Sequence, residues 1–394
     1  MLKWLIIGGG IHGTHLSHAL TTGGAVPRER LRVLDPQPAA LARWHANSTN
    51  TGMAYLRSPV VHHLDLEPTA LKRFAAAHPE FGEYPYIGRY KRPSLALFNA
   101  HTQSVIETHQ LEALRVKGRA RALHRKNRHF VVDTDHGELE ARRVALAIGL
   151  CEQPLWPAWA QDLARAGSPL YHVFDRAFER RQLPPWNHAV VIGGGITAAQ
   201  TALAMAERQP GTVTLVSRHP LHVKEFDSNP CWLGPRCMDR FQREKDMSVR
   251  RRLIVQGRQP GTIPPDVDDM FNKALEEGRL AFQTGAVQQA KTDNAMVSLR
   301  LEDGSSLETD CVILCTGFDS RRPGAPWLDR TIAQLGLPCA PCGYPLVDTT
   351  LQWQKGVFVM GPLAELEIGP VARNISGARF AAQRIVEAAL LGHV

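Results

Sequence analysis

Asn187 to Arg218 read NHAVVIGGGITAAQTALAMAERQPGTVTLVSR. Ala189, Val190, Val191 and Ile192 form a short apolar run of the kind a buried parallel strand needs, and three glycines follow at once. Ile196 to Gln209 carry apolar residues at helical spacing, and Thr212 to Val216 form a second, β-branched strand. The order strand, glycine turn, helix, strand predicts a dinucleotide-binding unit with Gly193, Gly195 and Ala198 in a GxGxxA pattern. Such a turn lets backbone approach a pyrophosphate, and the helix N-terminus turns unpaired N–H groups and a positive dipole end toward the phosphate charge. Where an NAD site carries an acidic side chain for the ribose 2′-OH, this chain carries Ser217, Arg218 and His219. A hydroxyl and a guanidinium suit a 2′-phosphate, so the spacing predicts NADPH over NADH. Glycines that only pack helix on sheet are the bland alternative; the flanking strands and the residue ending the second strand weigh against it.

The N-terminus repeats the plan. Leu2 to Ile7 reads as a buried strand, Gly8, Gly10 and Gly13 complete a GxGxxG that opens a helix through Leu20, and Leu31 to Leu34 is a strand ending in Asp35. That carboxylate, twenty-five residues after Gly10, is placed to accept hydrogen bonds from a ribose, as in FAD or NAD sites. One unit ends in acid and the other in base, which implies two different dinucleotides.

A chain of 394 residues holds two or three packed domains, and its 44% apolar and 21% charged shares are those of an ordinary globular protein. The net charge of +8 does not predict a nucleic-acid partner. The basic residues are scattered, and the densest run, Arg250 to Arg252, lies within the second nucleotide unit. Seven irregularly spaced cysteines predict no disulfide framework and a reducing, cytoplasmic compartment. Cys339 and Cys342 form a CxxC, but inside the proline-rich LPCAPCGYP, where a turn is the simpler reading. The apolar MLKWLII runs straight into glycines without a cleavage site, and no apolar run reaches the ~18 residues of a span, so no membrane partner is expected. His62 and His63, adjacent on an extended segment, point to opposite faces and have no ligand-spaced partners, so no metal site is expected.

Two further segments connect the units. VALAIG (144–149) followed by CEQP, and DCVILCTGF (310–318), each read as an apolar strand leaving through a glycine turn. This arrangement resembles the flavoproteins with two dinucleotide-binding domains, in which an FAD domain is interrupted by an inserted NADPH domain. The resemblance implies an α/β fold with two Rossmann-like domains, each on a parallel sheet. The FAD domain would comprise residues 1–183 and 313–394, and the NADPH domain 184–312. Leu114 to Glu140, alternating around Asn127 and His136-Gly137, then reads as hairpin structure attached to the FAD sheet. The C-terminal stretch reads as a strand (Val357 to Met360), a loop, and a helix opening near Gly369-Pro370, where proline suits a first helical position. In the resembled families that helix aims its N-terminus at the flavin; a helix that simply closes the sheet is compatible with the same residues.

Within that superfamily the chain is similar to the N-hydroxylating class B flavin monooxygenases, the ornithine and lysine hydroxylases. Trp44-His45, Met53, the LRSP of Leu56 to Pro59, Tyr171-His172 and Asp310 to Phe318 carry the likeness. It implies FAD on Gly8 to Gly13, NADPH on Gly193 to Ala198, and Trp44, Met53, Gly317, Gly361 and Gly369 around the cofactor. Arg57 and His172 would be catalytic residues, with Arg57 either binding an anionic substrate group or supporting the flavin. The implied activity is oxygen transfer from a flavin hydroperoxide, formed with O₂, to nitrogen or another soft nucleophile of a small molecule. The chain departs from the family at Ala54, at Arg57 in place of a lysine, and at Asp227 to Leu233, which lacks an Asn-Glu; ornithine and lysine are therefore not implied as substrates. An NADPH-dependent flavin reductase and a non-catalytic nucleotide-binding module remain as alternatives, a homo-oligomer is left open, and Glu225 to Arg252 is the expected lid or substrate-facing segment.

Overall fold

A computed structural model describes residues 1–293 and 296–391. Its larger sheet runs in the order Gln352–Gln354, Val357–Val359, Gly137–Leu146, Leu2–Ile7, Leu31–Asp35, Arg115–Lys117. Leu2–Ile7 lies at the centre, parallel to both neighbours. Trp4, Leu5 and Ile6 are wholly buried, which is why this strand is an unbroken apolar run. Its register, Trp4 opposite Leu31 and Ile7 opposite Leu34, brings the glycine turn level with the end of the neighbouring strand, so that Gly8 N donates to Leu34 O at 2.9 Å. Where hairpin structure is expected over Leu114 to Glu140, Ala120–Lys126, His129–Thr134 and Gly137–Leu146 form a three-stranded antiparallel meander, with Asn127 in the left-handed region at its first turn.

The second sheet runs Ala281–Thr284, Val213–Ser217, Ala189–Ile192, Cys311–Leu314, Leu170–His172, all parallel. One face is covered by the helices Ile196–Arg208 and Pro265–Glu276. The other is covered by the helix Ala158–Arg165 and a three-stranded antiparallel layer, Val287–Asp293, Met296–Leu301 and Ser306–Thr309. Leu170–His172 joins this sheet although it precedes residue 184, where the sequence reading opens the NADPH domain, and Cys311–Leu314 straddles the boundary at 312. Cys311–Leu314 is fully buried and needs a hydrogen-bonded neighbour on its open side. A three-residue strand is too short to announce itself by periodicity.

The chain passes between the sheets twice, and the two passages lie antiparallel. Leu155 N donates to Gly317 O and Asp319 N to Gln153 O, each at 2.9 Å. At the C-terminus the expected helix at Gly369-Pro370 is instead a 3-10 turn, Pro370–Arg373, and the long helix begins at Ile375. Asn374 is extended and interrupts the helical path. The carbonyls of Val371 and Ala372 fold back to where a Cβ on residue 377 would sit, a place glycine leaves open. This helix packs against Ile11–Thr22.

Contrary to the cysteine spacing, Cys231 and Cys237 are bonded. The turn Pro230–Leu233 and Gly234 reverse the chain into the helix Pro235–Arg243, bringing the two Cα atoms to 5.3 Å. Cys339 and Cys342 are free. Among the described residues no helix is long and apolar enough to cross a membrane.

Candidate active site

A cavity of about 910 Å³ starts at the Gly8–Gly10 turn and passes along Asp35, Trp44, Met53 and Arg57. It ends among Tyr90, Phe226 and Asp227 to Pro230. Gly8 sits at φ +110°, and a Cβ there would lie 2.5 Å from Ala147 O, so the strand can turn here only as glycine. A Cβ on Gly10 would meet nothing within 4 Å, because this residue faces the cavity; a Cβ on Gly13 would run into the Gly8 carbonyl. Gly10 caps the helix Ile11–Thr22 with no side-chain bond, leaving first-turn N–H groups for an anion. The Asp35 carboxylate accepts from Gly9 N at 2.5 Å and from Gln37 N at 2.8 Å, which fixes it beside the turn. This donor set and shape fit a dinucleotide with its ribose at Asp35.

The second cradle repeats the geometry. Gly193, at φ +154°, brings its α-carbon against the Cys315 carbonyl, where a Cβ would approach to 2.6 Å. A Cβ on Gly194 would lie 2.5 Å from Ser217 Oγ, and one on Gly195 would lie 3.4 Å from Gly261 Cα. Ala198 is wholly buried behind the turn. Ser217 Oγ donates to His219 O at 2.7 Å. Arg218 is exposed and makes no ion pair among the described residues, which leaves its guanidinium available to a phosphate. His219 and His222 stack beside it with ring centroids 4.8 Å apart.

Arg57 joins the two cradles. Its guanidinium lines the cavity and donates to Glu225 O at 3.1 Å, Lys224 O at 2.6 Å, Thr262 O at 3.2 Å and Thr262 Oγ1 at 2.9 Å. Thr262 follows Gly261, the residue against Gly195. These hydrogen bonds tie Arg57 to residues 224, 225 and 262, which is neither of the two roles expected of it. Beneath it Arg92, 2% exposed, pairs with Glu225 at 3.1 Å and with Asp266. Arg43 reaches across in the same way, to the carbonyls of Phe174 and Asp175. Arg92 and Arg43 escape sequence reading because their partners are far along the chain.

His172 lies outside the cavity lining. It is fully buried; its Nδ1 accepts from Phe174 N at 3.1 Å, so Nε2 carries the proton toward Thr316 Oγ1 at 3.2 Å. Burial pushes the imidazole down to about 4, so the ring is neutral and clamps the Thr316-Gly317 turn. The expected catalytic histidine is thus placed as a support; Phe318, beyond that turn, lines the cavity and stacks on Phe174 at 4.5 Å. Gly361 and Gly369 are both left-handed. Gly361 abuts the His12 ring, and Gly369 abuts Met238, Phe241 and Trp232 of the segment expected to be the lid. That segment is anchored by ions: Glu365, 0% exposed, binds Arg251, Arg258 and Arg373, and Glu367 binds Arg250 and Arg384. Burial alone would raise the Glu365 carboxyl, but Arg258, Arg373 and Arg251 outweigh it and hold it below its ordinary value.

Two glycine-turn cradles, each following a strand with parallel neighbours in its own sheet, define an oxidoreductase that uses FAD and a pyridine nucleotide. The chain belongs to the pyridine nucleotide-disulphide oxidoreductase family, whose model matches residues 2–383. A comparison with curated proteins finds no match. Among solved structures it is similar to the ornithine N-hydroxylase of Kutzneria sp. 744, crystallised with reduced FAD, NADP⁺ and L-ornithine, with TM-score 0.80, 15% identity and 100% of each chain covered. The ornithine hydroxylase of Pseudomonas aeruginosa follows at TM-score 0.78, 17% identity and 100% of each chain. The bacillithiol disulfide reductase of Staphylococcus aureus gives TM-score 0.62 and 15% identity, over 100% of this chain and 99% of that one. Likeness at such identities carries the fold.

Proposed function

We propose that this protein is an FAD- and NADPH-dependent monooxygenase that hydroxylates nitrogen, or another soft nucleophile, of a small molecule. For an amine the balance is R–NH₂ + O₂ + NADPH + H⁺ → R–NHOH + H₂O + NADP⁺. The observation that carries the reading is the single cavity that begins at the Gly8–Asp35 cradle and ends under the Asp227–Leu233 segment, with Arg57 bracing the second cradle against it. Bound flavin supplies the hydride acceptor and the oxygen chemistry. Gly8 to Gly13 hold the pyrophosphate of FAD, and Asp35 its ribose. Ser217 and Arg218 hold the 2′-phosphate of NADPH, which makes Arg218 the residue that selects the coenzyme. Arg57, through Thr262, would hold the second cradle, and NADPH bound in it, against the flavin domain. Trp44, Met53 and Leu56 wall the flavin end, and the Tyr90–Phe226 ring pair, 4.8 Å apart, shields the substrate end from water. Substrate and O₂ enter beneath residues 226–233. Solved structures with amine hydroxylases of the same fold support the reading.

The test is coupling. NADPH oxidation, O₂ uptake and H₂O₂ release are measured with a panel of amines and thioethers; one that suppresses peroxide release and appears as its hydroxylated or S-oxidised product supports the proposal. A second reading, an NADPH-dependent disulfide reductase, has one observation in its favour: Cys231, bonded to Cys237, lies between Pro230 and Leu233, which line the cavity. Stoichiometric peroxide with every amine and thioether, together with NADPH-dependent release of thiols, would select that reading and reject the first.

A further inference from the structure

The fifth residue of the Gly8–Gly13 motif is histidine, and its ring lies inside the cofactor cradle. Both ring nitrogens of His12 are shut off from solvent; the Arg373 backbone is the hydrogen-bonding group nearest the ring, and it leaves at least one nitrogen without a partner among the described residues. The ring lines the cavity, and Gly361 packs against it; a Cβ there would lie 3.6 Å from Cε1 and Nδ1. Buried polar side-chain atoms are as a rule paired, so an imidazole nitrogen left unpaired beside an anion-binding turn marks a place where a ligand completes the pairing.

We propose that His12 is a cofactor-binding residue whose imidazole hydrogen-bonds an oxygen of the chain linking the two halves of FAD, either a pyrophosphate or a ribityl oxygen. The proposal rests on the flavin-site reading above and adds to it a contact that the glycine pattern does not supply. The titratable and charged groups around the ring are Arg373 from the C-terminal turn, His15 one turn along the same helix, and Arg379 beyond His15. Burial lowers His12 to about 4, with the Arg373 backbone pulling the other way, so the ring meets its ligand neutral. The two oxygens then differ in what they do to it. A pyrophosphate charge favours the imidazolium, so that contact takes up a proton as FAD binds. A ribityl hydroxyl pairs with the neutral ring and takes up none.

The experiment titrates the deflavinated full-length protein with FAD, following quenching of flavin fluorescence between about pH 6 and 9, the range in which histidine linkage is read. His12→Leu keeps the bulk without the nitrogen, and His12→Gln keeps a polar group. The expected result is FAD binding weakened roughly ten- to a hundredfold by His12→Leu and largely restored by His12→Gln. In the unmodified protein, affinity that rises toward acid, with proton uptake by calorimetry in two buffers, assigns the pyrophosphate; affinity independent of pH assigns the ribityl chain. His12→Leu that binds FAD within about twofold of the unmodified protein at every pH overturns the proposal. So does equal loss in both variants without proton uptake, which would mark the ring as packing. An unmodified protein that binds no FAD would instead remove the flavin-site reading itself.

Discussion

Replacing Glu365 with glutamine tests how the inserted domain is held to the flavin domain. Its carboxylate receives Arg251 and Arg258 from the inserted segment and Arg373 from the C-terminal turn. Arg258 Nη2 and Arg373 Nε lie 2.9 Å from Oε2, and Arg373 Nη2 lies 3.1 Å from Oε1. Glutamine has nearly the same shape, but it removes the charge and turns an N–H₂ toward guanidinium donors. Three half-buried cations would then share one neutral acceptor, and Arg258, already lowered to about 10 by burial despite Glu365, would lose the carboxylate that opposes the fall. Breaking a buried pair from one side costs about 3–5 kcal/mol. The separate hydrogen bonds are not added to that figure, because members of one network are not independent. With a urea dependence of about 3 kcal/mol per molar, the unfolding midpoint of Glu365→Gln falls by roughly 1 M or more, read by tryptophan fluorescence. Acid acts on the same site. Because the native carboxyl titrates below its ordinary value, its contribution is complete above about pH 4.3, where the unfolded chain is also ionised, and it disappears as pH falls through the depressed native value. A midpoint within about 0.3 M of the unmodified protein would refute the reasoning.

Three further outcomes are expected. Arg218→Ala should weaken NADPH roughly ten- to a hundredfold while leaving NADH within about twofold, measured by anaerobic flavin reduction; equal loss for both would reject the 2′-phosphate assignment. Arg57→Lys, whose single ammonium cannot span the acceptors on Lys224, Glu225 and Thr262, should retain FAD but slow reduction by NADPH about tenfold or more in stopped flow, and an unchanged rate would reject the bracing role. His15 and His172, lowered by burial to about 3 and about 4, bind fewer protons folded than unfolded. Their stability contribution is complete above about pH 6.5 and is lost as pH falls toward those native values, at up to ~1.4 kcal/mol per pH unit for each. Thermal melts at pH 7 and pH 5 check this, and a flat profile would contradict it.

What could be read without coordinates was local. The strands Leu2–Ile7 and Ala189–Ile192, their glycine turns, the helices that follow, and the contrast of Asp35 with Arg218 all lie within stretches of about 35 residues, and periodicity and turn chemistry report on stretches of that length. The meander around Asn127 was legible for the same reason. The tertiary structure alone decided where Arg57 sends its guanidinium, 167 to 205 residues along the chain, and that His172 braces a turn while His12 lines the cavity. It alone decided the pairing of Leu170–His172, the Cys231–Cys237 bond and the arginines around Glu365. These depend on which faces meet when two sheets close on each other, and side-chain partners between distant segments leave no period along the sequence.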